Sequence, residues 1–135
     1  MIIYQNQEIS EERILEMLSE EKAQTFSYVG DMLISFCSPD TREANSQLLI
    51  AYCEEWGYYM SYHEVTSGQE WLSLWDRERL DDVIEYDEDC FVSAGLFVPF
   101  EIAIEVISDY VWTGSRGNQI AWIEPEEVPD TGNWA

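Results

Sequence analysis

The residues able to do chemistry are few in kind and poorly spaced for it. His63 is the only histidine in 135 residues. A nucleophilic centre needs a base within hydrogen-bond reach of a serine or cysteine, oriented by a third group. No serine or cysteine is tied to His63 by spacing, so it reads as a side chain at a sheet surface or edge. The run Asp87-Glu88-Asp89 offers oxygen ligands for calcium, but an EF-hand loop needs a glycine at its sixth position. Counting from Asp87, that position is Val92. Paired carboxylates can hydrolyse glycosides, yet among 28 acidic residues some close pair is expected by chance. Gly114-Ser115-Arg116-Gly117 lacks the lysine and the helix start of a phosphate loop. Neither an enzyme nor a metal or cofactor site is expected.

The side chains are better equipped to bind. The 28 acids stand against six basic residues, Lys22, Arg13, Arg42, Arg77, Arg79 and Arg116, which leaves a net charge of -22. A magnitude of about 2–8 is enough to keep a small domain soluble, and every further unpaired acid adds self-repulsion to the folded state. The sign excludes direct nucleic-acid binding, which needs cations to displace counterions from phosphates, and it opposes anionic membrane surfaces. It favours a basic protein, above all one whose basic groove is built for nucleic acid.

The densest acidic stretch runs from Asp76 to Cys90 and holds eight acids, with Arg77 and Arg79 offsetting two. Asp81, Asp82, Glu85, Asp87, Glu88 and Asp89 are the candidates to meet a partner's lysines and arginines. Trp71 and Trp75 come just before them. Tryptophan is enriched at binding hot spots, so these two either supply the apolar contact or pack under the sheet; Trp122 reads as core.

The elements that must position these residues are short. Met1 to Tyr4 reads as a strand. Ser10 before Glu11 and Glu12 is a helix start, with a hydroxyl cap and acids in the first turn, and Ile14, Leu15 and Leu18 continue at helical spacing to about Gln24. Phe26 to Val29 and Met32 to Cys37 are candidate strands. Gln47 to Cys53 and Tyr58 to His63 read as a hairpin turning at Glu54 to Gly57, and Glu70 to Trp75 as a further strand. The acidic stretch is expected to be a loop, with a brief helical turn open to Leu80, Val83 and Ile84. Phe91 to Phe97 resumes as a strand. Pro99 suits a helix start, Ala103, Val106, Ile107 and Tyr110 follow at helical spacing, and Gly114 is a left-handed stop. Gln119 to Ile123 is the last strand. The fold class expected is α+β: an antiparallel sheet of about six strands with two main helices packed on one face.

One domain spanning residues 1–135 fits the length, with 124–135 read as a loose acidic tail. Cys37, Cys53 and Cys90 are odd in number and widely spaced, as expected of free thiols in a reducing cytosol. The opening stretch lacks the basic start and apolar core of a signal peptide, and no run of about 18 apolar residues exists to span a membrane. A cytoplasmic protein is expected.

The segment Leu96-Phe97-Val98-Pro99-Phe100-Glu101, the helix to Tyr110, then Thr113-Gly114-Ser115-Arg116 and Ile120-Ala121-Trp122 resembles the end of the first-numbered Imm family of bacterial immunity proteins. There a Val-Pro hydrophobic-acid step opens a helix, a Thr-Gly-x-Arg turn closes it and a Trp-bearing strand ends the domain. The likeness covers residues 96–122; Gly117 stands where that family usually has proline. It implies a non-enzymatic cytoplasmic protein that binds a cognate toxin, one to one, and neutralises it. Such toxins are often nucleases or nucleic-acid deaminases with basic clefts. The matching residues define a fold and carry over no contact site. A DNA mimic that blocks a DNA-binding or restriction protein explains the charge equally well.

Overall fold

A computed structural model of the chain describes residues 1–19, 32–53, 55–87 and 90–129. It is an α+β fold, as expected, but richer in strands. The strands of the main sheet are β1 (Ile2–Tyr4), β2 (Gln7–Ile9), β3 (Met32–Cys37), β4 (Ala44–Cys53), β5 (Gly57–Glu64), β6 (Glu70–Leu74), β9 (Phe97–Val98) and β10 (Ala121–Ile123), and β7 (Val83–Asp87) and β8 (Cys90–Ser93) form a separate hairpin. The helices are α1 (Glu11–Ser19) and α2 (Phe100–Thr113). The sheet runs in the order β10-β6-β5-β4-β3-β1-β2, with β9 added to β5, and every pairing is antiparallel.

Several ends are where the residue chemistry puts them. The Ser10 hydroxyl accepts from the Arg13 backbone N–H at the start of α1 (3.1 Å), satisfying a donor that the first helical turn leaves unpaired. Pro99 precedes the first residue of α2, and Gly114 ends it at φ +74°, its N–H bonded back to the Tyr110 carbonyl. The unexpected hairpin β1–β2 turns at Gln5 and Asn6, both at positive φ, the backbone of a tight primed turn. Phe26 to Val29 and the stretch from 20 to 24 lie outside the described residues.

The sheet has two unlike faces. One carries Ile2, Met32, Ile34, Leu48, Ile50, Tyr58, Met60 and Tyr62 into a core closed by Ala103, Val106, Ile107, Tyr110 and Val111 of α2 and by Ile14 and Leu18 of α1. The helices are tied to it by hydrogen bonds: Tyr58 donates to the Leu18 carbonyl (3.0 Å), and the Ser46 hydroxyl bridges the Tyr110 hydroxyl (3.2 Å) and the Gly114 carbonyl (2.8 Å). The second face is covered only in part. There Leu72, Leu74 and Ile123 pack with Leu80, Val92, Leu96 and Phe97 under the β7–β8 hairpin. A 3-10 turn at Pro125–Glu127 follows on this side, with Val128 packed on the cluster; the tail from 130 lies outside the described residues.

Candidate functional site

The acidic stretch is no loop. It begins with a 3-10 turn at Arg77–Arg79, capped by the Asp76 side chain accepting from the Glu78 N–H (3.0 Å), and continues as β7, paired with β8. Leu80 ends the turn and is buried with Ile84 packed beside it, so a brief helical turn does reach Leu80, whereas Val83 and Ile84 belong to the strand. Phe91 to Phe97 is likewise divided into β8, a buried 3-10 turn at Ala94–Leu96, and β9.

A chain of buried hydrogen bonds fixes this hairpin to the sheet. β5 pairs with β6 over residues 61–63 and with β9 at 58 and 59, which leaves Met60 at a fork between them. Ser73, fully buried, fills the fork: its hydroxyl accepts from the Met60 N–H (2.9 Å) and donates to the Leu96 carbonyl (2.7 Å). The Gly95 carbonyl then accepts from the N–H groups of both Trp75 and Asp76 (2.9 and 3.0 Å). Further along, the Ser93 hydroxyl donates to the Leu80 carbonyl and the Ala94 N–H to the Asp82 carbonyl (both 2.6 Å). Buried polar atoms are stable only when paired, and these pairings set the turn that carries the acids.

The candidate binding residues are thereby divided. Asp81, Asp82 and Glu85 lie exposed on the turn and hairpin. Asp82 is bridged to Arg79 (3.3 Å), whose guanidinium also lies 4.5 Å from the Trp56 ring centre. Asp87 ends β7, and Glu88 and Asp89 lie outside the described residues. Trp75 sits one residue past β6 with 49% of its surface exposed. Trp71 is otherwise engaged: it packs on the helix-side core against Tyr62 (ring centres 5.9 Å apart) with the Arg116 guanidinium 4.3 Å from its ring centre. Of the two tryptophans, Trp75 is the accessible one. Trp122 also packs against that core, as expected.

Beside the hairpin the second face of the sheet is open, a feature that composition did not single out. Register aligns Glu8, Ile3, Ser35, Gln47, His63 and Glu70 in one row across six strands. A parallel row holds Leu33, Leu49, Ser61, Leu72 and Ile123. The hairpin cluster takes up Leu72 and Ile123, whereas Leu33 is 48% exposed and Ile3 and Leu49 are half-buried. A hollow of about 330 Å³ opens there, lined by Ile3, Leu33, Ser35, Gln47 and the Gln5-Asn6 turn. The signal was present in Met32 to Cys37, whose apolar residues fall on both faces of the strand.

Chemically, the arrangement is suited to contact. His63 is half-buried in the polar row. Among the described residues no group of three or more His, Cys, Asp or Glu is placed to hold a metal ion, and no helix is long and apolar enough to cross a membrane. Cys37 and Cys53 are free thiols. No family model, curated protein or solved structure matches the chain.

Proposed function

We propose that this chain is a non-catalytic, cytoplasmic immunity protein that binds a basic cognate toxin, a nuclease or nucleic-acid deaminase, one to one and blocks its cleft. One observation carries the reading. The net charge is -22, and no aspartate or glutamate is among the buried side chains of the described residues. The described carboxylates thus stand outside the buried core, where their field reaches a partner. Clustered surface charge of one sign raises association rates toward about 10⁸–10⁹ M⁻¹s⁻¹ at low salt, which suits the capture of a toxin before it acts. Asp81, Asp82 and Glu85, with Asp87, Glu88 and Asp89 next to them in sequence, would meet the toxin's cations, and Trp75 would supply apolar contact. The resemblance of residues 96–122 to the first-numbered Imm family supports the same reading.

The test is inhibition of the purified product of the adjacent gene. Stoichiometric loss of its nuclease or deaminase activity, weakened at least about a hundredfold by reversing Asp81, Asp82 and Glu85 together to lysine, is expected from losing several charge pairs. Failure of the wild-type chain to bind that product overturns the reading. A second reading, a DNA mimic, is favoured by Glu101, Glu105 and Asp109, all exposed at one-turn spacing along α2. Steps of about 6 Å make a repeating line of negative charge, and competition with duplex DNA for a restriction protein tests it.

A further inference from the structure

We infer that the open half of the sheet's second face docks a basic protein segment, which sets an apolar side chain into the hollow beside Leu33 while its cations meet the surrounding acids. The inference rests on the reading that the partner is basic and names the surface that receives it.

Leu33 is the starting point. It lies within β3, paired with Leu49 of β4 and one residue beyond Ile34, the last residue of β3 that β1 pairs with. The water-facing side of an antiparallel sheet is ordinarily polar. Here Leu33 stands opposite Leu49, with Ile3 two residues off in register on the neighbouring strand. Around this apolar floor the lining is polar: Ser35 and Gln47, joined by a hydrogen bond (3.2 Å), and the turn at Gln5 and Asn6. An apolar centre within a polar rim is the anatomy of a protein interface.

Charge selects the occupant. Glu8 and Glu70 close the two ends of the row that crosses this face, and the turn leading into the hairpin adds exposed Asp81 and Asp82, the latter bridged to Arg79. Arg42 approaches Glu8 only at 4.0 Å, between exposed side chains, a pairing worth little in water. A second copy of the chain would bring another -22 charges against the same field, and nucleic acid or an anionic membrane would be repelled likewise. A segment alternating cations with apolar side chains matches both the floor and its surroundings.

The probe is a short synthetic peptide of alternating arginine and leucine, compared with one of alternating arginine and serine, titrated into the isotope-labelled full chain and followed by backbone amide shifts. The leucine peptide should bind about tenfold tighter or more, since burying a single leucine is worth at least that factor. Its shifts should centre on Ile3, Leu33, Gln47 and Leu49, and Leu33→Glu should abolish the difference between the peptides. Leu33→Gln provides a second, uncharged variant should the first fail to fold. Equal affinities, shifts confined to residues 76–87 or to α2, or self-association through this face would overturn the inference. Because the peptides stand apart from the adjacent gene's product, a failure here leaves the test of toxin binding intact.

Discussion

Gly95 lies against Asp76 with no room for a side chain between them. A Cβ at Gly95 would fall inside contact distance of the Asp76 carbonyl oxygen and press on the backbone of Arg79 and Leu80. The buried turn at Ala94–Leu96 and the acidic turn at Arg77–Arg79 can nest only because this position is bare. Gly95→Ala should therefore destabilise the fold by about 1–3 kcal/mol, the usual cost of overpacking, as read by urea denaturation. The loss should be accompanied by amide shifts through residues 75–82.

Ser73 joins the same turn to the sheet. Ser73→Ala would leave the Met60 N–H and the Leu96 carbonyl buried without a partner, at a cost of about 1–3 kcal/mol. Hydrogen exchange at the Met60 amide should accelerate by more than that at Leu48 or Ile50, which lie in the unforked part of the sheet.

Alkaline pH should unfold the domain through its buried phenols. Burial pushes Tyr58 and Tyr110 far above the ordinary value of about 10. In the unfolded chain both ionise near that value, so above it the folded state holds the extra protons. The stabilisation is complete below about pH 10 and is lost as pH rises from there toward the folded values, by up to about 1.4 kcal/mol per pH unit for each phenol. Unfolding free energies measured from about pH 9 to pH 11 should bend downward, and Tyr110→Phe should make the fall shallower.

The outer face of α2 holds three acids that repel one another, Glu101, Glu105 and Asp109 at successive turns, and the helix has no basic residue in its last turn. Like charges four residues apart cost about 0.2–0.5 kcal/mol per pair. Glu105→Lys turns two repulsive pairs into attractive ones and should raise stability by about 1 kcal/mol, read as a higher thermal midpoint at low salt that shrinks as salt is added.

The two ends of the chain's logic were not equally visible in its residues. Ser10, Pro99 and Gly114 act through local backbone chemistry; Ser10 and Gly114 mark their helix ends as read, and Pro99 stands one residue outside the first helical position. The hairpin at Val83–Asp87 was hidden by its own acids: charge normally signals a loop, while the paired Ile84 and Val92 gain their strand character from packing on the sheet. β1–β2 was missed because its turn uses Gln5 and Asn6 at positive φ without a glycine. Trp71 and Trp75, equivalent by spacing, are separated because the strand ends at Leu74 and Trp75, bonded to the Gly95 carbonyl, leads into the turn. The open face around Leu33 depends on which residues of distant strands align, and that information lies in the register.

The central claim is that the excess negative charge draws in a positively charged partner. The most direct measurement is the association rate of the chain with the adjacent gene's product, followed by stopped flow from about 20 mM to about 500 mM sodium chloride. Screening over that range shortens the reach of the field from roughly 20 Å to a few ångströms, and the rate should fall at least about tenfold. A rate that stays flat across the range would contradict the account.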